Sequence, residues 1–190
     1  MIKYVKSNLE SIFKIFINHV GMTIFALVVL LSTKLISSKM DSNIVFILAG
    51  ILTVLMYFSL TYTAMWERGA RDKIKIDGGR EKRCLFHGLY IYLIANAIGI
   101  ISSLVALIFF FFSTPEASAV NSIYAVFKFI SHYWYAIYMS ITSIEGIHTV
   151  IYVAVLIPGA LVSTVSYILG VKGFKCIFPE PKYDRNRKIR

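Results

Sequence analysis

From Ile44 to Met65, and again from Gly88 to Phe112, the chain has no Asp, Glu, Lys or Arg. A hydrocarbon layer of ~30 Å takes roughly 20 helical residues to cross, so runs of this length exclude an ordinary soluble domain. Acidic residues are scarce, 10 against 20 Lys and Arg, and none falls inside an apolar run. That removes the buried carboxylate on which ion coupling and membrane aspartate peptidases depend. Two cysteines, Cys84 and Cys176, are too few for a disulfide framework. Cys84 and His87 form a C-x-x-H pair, but a structural zinc site needs four ligands and no obvious set is present. Neither H-E-x-x-H nor G-x-S-x-G occurs. Asp77-Gly78-Gly79-Arg80 only grazes the D-G-x-x-A-R pattern of phosphatidyltransferases and lacks the downstream aspartates.

What is present is apolar length bounded by positive charge. The chain of 190 residues is 57% apolar with mean hydropathy +0.70 and formal charge +10. Such a composition leaves no room for a sizeable soluble domain, so residues 1–190 read as one membrane domain. The basic residues cluster at the ends of apolar runs rather than on a folded basic face, and no nucleic-acid motif accompanies them. Orientation and anionic lipid therefore account for them, and nucleic acid is not expected as a partner.

In order, Val5, Leu9, Ile12 and Phe16 share one helical face, which predicts an amphipathic interfacial helix over about 2–14. Spans are predicted at about 15–31, 44–65, 89–112 and 149–170. The first reads as an uncleaved anchor, because no small-x-small cleavage site follows it. Asn18 and His19 are expected near its headgroup end, and Trp66 as an interfacial anchor of the second span. Residues 66–83 form a basic loop with seven Lys/Arg and four Asp/Glu. Within it the alternation Lys73–Ile76 and the turn signal Asp77-Gly78-Gly79 suggest a hairpin or extended loop. Ala95, Gly99 and Ser103 repeat at intervals of four in the third span, a close-packing seam. Asn96 is expected to bond to a neighbouring helix.

Residues 123–141 are dense in aromatic rings and are expected to lie flat on the outer surface, with a re-entrant segment as the alternative. Pro158 should bend the fourth span, and Gly170 and Gly173 suit its end. The tail 172–190 is basic. With four spans, seventeen Lys/Arg share one side against three opposite, whereas a fifth crossing gives ten against nine. The positive-inside rule favours four, with both termini cytoplasmic.

The motif Trp66-Glu67-x-Gly69-x-Arg71-Asp72, with Gly79-Arg80 behind it, and the closing Tyr167-Ile168-Leu169-Gly170-x-Lys172-Gly173-Phe174 resemble a group of small bacterial multi-pass membrane proteins. The resemblance implies a cytoplasmic position for both motifs and no activity. The expectation is an all-α integral membrane protein of a bacterial cell membrane, non-enzymatic and needing no cofactor or metal. It would act as an accessory or interaction partner. Arg68, Arg71, Lys73, Arg80, Lys172 and Lys175 would contact anionic headgroups or a protein partner, with Ala95, Gly99, Ser103 and Pro158 in helix packing. The alternatives are a transporter subunit holding a small solute near the outer aromatic segment, and a lipid-modifying enzyme.

Overall fold

The computed structural model describes residues 2–40, 43–82, 84–114, 118–138, 140 and 150–174, and among these it contains helix and no strand. Seven α-helices follow in order: α1 (Ile2–Met40), α2 (Ile44–Asp77), α3 (His87–Ala95), α4 (Ala97–Phe112), α5 (Ser118–Trp134), α6 (Ile151–Ala154) and α7 (Leu156–Lys172), with a 3₁₀ turn at Ala136–Tyr138. Three stretches are long and apolar enough to cross a membrane: Tyr4–Ser38, Ile44–Asp77 and Ile151–Lys172. There are four if the bent pair α3–α4 counts as one.

The first difference from the sequence expectation is continuity. Residues 2–14 are not a separate surface helix but the opening turns of a helix of 39 residues, about 58 Å long at 1.5 Å per residue. Their apolar positions divide: Ile12 is buried and Val5 packs on the core, while Leu9 and Phe13 stay exposed. Nor is 66–77 a loop. The helix α2 carries on through Asp77, so Lys73–Ile76 is helical. The turn signal itself is realised just after it. Gly79 adopts φ +70°, the Arg80 N–H donates to the Lys75 carbonyl and the Gly79 N–H to that of Ile76, which is the Schellman closure that a residue without Cβ permits. Gly173, at φ +77°, ends α7 in the same way.

The third apolar run is also interrupted. At Asn96 the axes of α3 and α4 turn by 70°. The Asn96 side-chain amide does not reach a neighbouring helix. Its Nδ2 donates to the Tyr92 carbonyl, the acceptor that its own backbone N–H also uses, a local competition that disturbs a helix. The break separates Ala95 from Gly99 and Ser103, so the small-residue seam is not one surface. Gly99 and Ser103 face α5 and the residues after it: Trp134 and Tyr135 press on Gly99, and the Ser131 hydroxyl lies 3.2 Å from that of Ser102 and 3.4 Å from that of Ser103.

Helix α5 packs along α4, and the chain after it turns into the bundle: Tyr135, Ala136, Ile137 and Tyr138 are at most 3% exposed. Segment 123–141 therefore does not lie flat throughout, and its residues 139 and 141 fall outside the described residues. Its entry is fixed by polar contacts. The Trp134 carbonyl accepts from His19 Nε2 at 3.0 Å and from Thr23 at 3.2 Å, and Thr53 donates to the Ile137 carbonyl at 3.3 Å. His19 is thus a core residue, with Nδ1 accepting from the Tyr57 hydroxyl at 3.1 Å, and not a headgroup residue.

In the last run the helix breaks at Val155, three residues before Pro158. Pro158 sits in the first turn of α7, where a missing N–H costs little. It is itself exposed, and the packing residue is its neighbour Gly159, where an added Cβ would fall 2.1 Å from the Tyr92 hydroxyl.

The tightest helix contact joins α2 to α7. A Cβ added to Gly69 would lie 2.3 Å from the Tyr167 carbonyl oxygen, and one added to Gly170 would lie 2.3 Å from that of Trp66 and 3.0 Å from the Gly69 Cα. Only glycine lets the backbones approach so closely. Gly170→Ala should therefore destabilise the protein by about 1–3 kcal/mol, whereas Gly21→Ala, with nothing within 4 Å, should leave it unchanged or slightly more stable. Thermal unfolding of the two variants in detergent, followed by size-exclusion recovery, checks the contrast.

Candidate functional site

One turn from the Gly69–Gly170 crossing, four helices bring polar side chains together at the basic end of the bundle. From α2, Arg68 and Asp72 stand at i and i+4, the spacing that pairs opposite charges on one helix face. Arg68 Nε donates to Asp72 Oδ2 at 3.0 Å, with Arg68 9% and Asp72 2% exposed. From α1, Asn8 Oδ1 accepts from Arg68 Nη2 at 2.8 Å, and Ser11 Oγ lies 3.3 Å from Nη1. From α7 the Tyr167 hydroxyl donates to Asp72 Oδ2 at 3.1 Å. His87, the first residue of α3, donates from Nε2 to Asn8 Oδ1 at 3.0 Å, which leaves Nδ1 to accept from Tyr4 at 3.1 Å.

The partners fix both the orientation and the charge of this group. Asn8 donates its Nδ2 to the Tyr4 carbonyl, so Oδ1 is the atom that faces Arg68 and His87. The imidazole is the Nε2–H tautomer. His87 Nε2 lies 3.7 Å from Asp72 Oδ2, and with Nδ1 accepting from Tyr4 the ring carries no charge. The site thus holds one buried cation and one buried anion. Asp72 Oδ1 has no hydrogen-bond partner among the described residues, and Lys75 Nζ is 3.6 Å from it.

These contacts redistribute the basic residues expected to face a headgroup. Arg68 is withdrawn into the network and is not available to a partner. Arg71 is exposed and paired with Glu10 at 2.9 Å, and Lys14 with Glu67 at 2.6 Å. Lys73 is half-buried, its Nζ beside Gly173, while Arg80 and Lys172 are exposed. Lys175 lies outside the described residues. Trp66, expected as an interfacial anchor, donates its indole N–H to the Phe174 carbonyl. Asn8, Asp72, His87 and Tyr167 were not singled out from the sequence as site residues. The i,i+4 spacing of Arg68 and Asp72 was a visible signal for that pair. Nothing local marked Asn8, and His87 was marked only by its C-x-x-H spacing to Cys84; the contacts that bring them into the site, Asn8 with Arg68 and His87 with Asn8, span 60 and 79 residues. Gly69, Asp72, Tyr167 and Gly170 all belong to the α2–α7 contact.

At the other end of the molecule α5 and α6 border an open cavity of about 500 Å³ lined by Tyr124, Ala125, Lys128, Phe129, His132 and Tyr152, of which Ala125, Lys128 and Phe129 are exposed. Among the described residues no three His, Cys, Asp or Glu side chains come close enough to hold a metal ion. No family model matches the chain, and neither a curated protein nor a solved structure matches it.

Removing one member of a buried ion pair strands the other. Arg68→Met and Asp72→Leu should each cost about 3–5 kcal/mol, while the double variant should cost clearly less than their sum. A double-mutant cycle on thermal or denaturant unfolding measures this; additive losses would show that the pair is not coupled.

Proposed function

We propose that the chain is a non-enzymatic, four-span protein of a bacterial cell membrane, with 87–112 as one bent span and both termini in the cytoplasm. In this reading it acts as an accessory partner whose cytoplasmic face engages anionic headgroups or an acidic protein surface. The observation that carries the proposal is the division of labour among its basic residues. Arg68 is neutralised inside the bundle, whereas Arg80, Lys172 and Arg71, the last in an exposed pair with Glu10, lie at the surface beyond the α2–α7 contact. The Gly69–Gly170 contact makes them one surface, and a basic residue near an anionic leaflet contributes on the order of 1 kcal/mol.

A lipid-modifying enzyme would need a free acid or base. The best candidate, Asp72, already accepts from Arg68 and Tyr167 at the same oxygen. A transporter subunit holding a small solute is the second reading, and the cavity beside α5 favours it.

The triple reversal Arg71→Glu, Arg80→Glu and Lys172→Glu should leave insertion intact and remove about 100-fold or more of the affinity for anionic nanodiscs. Lipid or protein co-purifying in mild detergent should fall in parallel. Unchanged retention of both would refute the role assigned to this face.

A further inference from the structure

The cavity between α5 and α6 has a composition that nothing in the proposed role of the basic face explains. Five of its six lining residues, Tyr124, Ala125, Lys128, Phe129 and His132, form one stripe of α5 at helical spacing, and Tyr152 of α6 closes it. The walls are carbon almost throughout. Against them stand three polar features. Lys128 Nζ lies 5.4 Å from the centroid of the Tyr124 ring, within cation–π range, and among the described residues no carboxylate pairs with it. The Tyr152 hydroxyl and His132 Nδ1 share a hydrogen bond of 3.1 Å. Whichever of the two donates, one polar hydrogen of the pair remains for another acceptor: Nε2–H if the phenol donates, O–H if the imidazole does. Burial, with Lys128 and Lys34 nearby, holds His132 below its ordinary pKa, so the positive charge of the wall is that of Lys128.

We propose that this cavity binds a fatty acid, with its single chain along Ala125 and Phe129 and its carboxylate between Lys128 and the His132–Tyr152 pair. Charge complementarity selects the head. One ammonium and one neutral donor match a monoanion with two acceptor oxygens. The volume of about 500 Å³, within the range of roughly 300–1,000 Å³ usual for small-molecule sites, accommodates one acyl chain along exposed Ala125 and Phe129. The mouth continues into exposed Val126, Phe129 and Ile130, with the Phe129 and Tyr133 rings 4.5 Å apart, so the ligand can enter from an apolar medium. The inference is independent of the role proposed for the basic face, which lies at the far end of the bundle.

The test uses the full chain in nanodiscs with a diazirine-bearing palmitate as the photoprobe. Crosslinks should map to peptides containing residues 124–133 or Tyr152, and unlabelled palmitate should compete. Hexadecanol, which has the chain without the charge, should compete about tenfold more weakly. Lys128→Gln, at an exposed position, should weaken labelling about tenfold, Tyr152→Phe by a smaller factor, and Ala125→Trp should fill the cavity and abolish it, all with unchanged thermal unfolding. Hexadecanol competing as well as palmitate, or labelling indifferent to both Lys128→Gln and Ala125→Trp, would reduce the signal to annular hydrocarbon and overturn the proposal. Dipalmitoyl phosphatidic acid competing as well as palmitate would overturn it in favour of a phospholipid groove.

Discussion

Two glycine backbones in contact, Gly69 on α2 and Gly170 on α7, set the geometry on which the rest of this bundle depends. Helices that touch at Cα leave no room for side chains between them, and whatever flanks the contact is pressed into a space without water. On one flank that space receives Arg68 and Asp72. Neither charge is tolerable there alone, so each is surrounded: Arg68 by Asp72, Asn8 and Ser11, and Asp72 by Arg68 and Tyr167. The close approach and the buried charge pair are thus one device. The glycines bring α7 near enough for Tyr167 to reach the carboxylate, and the pair fixes α1 against α2 through Asn8 and Ser11.

The same rule, that a polar atom far from water must find its partner within the chain, accounts for the middle of the molecule. His19 lies between the Tyr57 hydroxyl and the Trp134 carbonyl, and in doing so it pins the strongly bent segment after α5 to the long helices. Asn96 answers the rule locally by returning to Tyr92, and the cost of that choice is the break between α3 and α4. Gly99 then accepts Trp134 and Tyr135 against its backbone. Aromatic rings that the sequence pattern assigns to a surface are in this way drawn into the core.

Composition and charge placement made the all-helical class and the apolar runs readable, because these are sums over many residues. Short-range chemistry was readable too: the stop at Gly78-Gly79 and the end of α7 at Gly173 each depend on a few adjacent residues. The extent of α1 and α2 was not. Their polar ends look like loops or surface helices in isolation; in the bundle they pack on one another through Asn8 and Ser11 with Arg68, with the exposed pairs Arg71–Glu10 and Lys14–Glu67 alongside. Arg68 illustrates the limit most clearly. From the sequence it is one of seven basic residues in a charged block, and its i,i+4 relation to Asp72 does not separate it from Arg71, which has Glu67 four residues before it. Burial depends on α1, some 60 residues away, and no local pattern reports it. Pro158 was legible in part: the helix breaks one turn before it, as its missing N–H predicts, but the packing contact with Tyr92 belongs to its neighbour Gly159.

The antiparallel arrangement of the long helices has an electrical consequence. At the basic end of the bundle α1 and α3 begin while α2 and α7 finish, as the contacts of Asn8 with Arg68 and of Gly88 with Ser163 and Tyr167 require. Two N-termini and two C-termini side by side cancel most of the peptide macrodipoles. The backbone therefore contributes little net dipole along the bundle, and the exposed lysine and arginine side chains carry the electrical difference between its two ends.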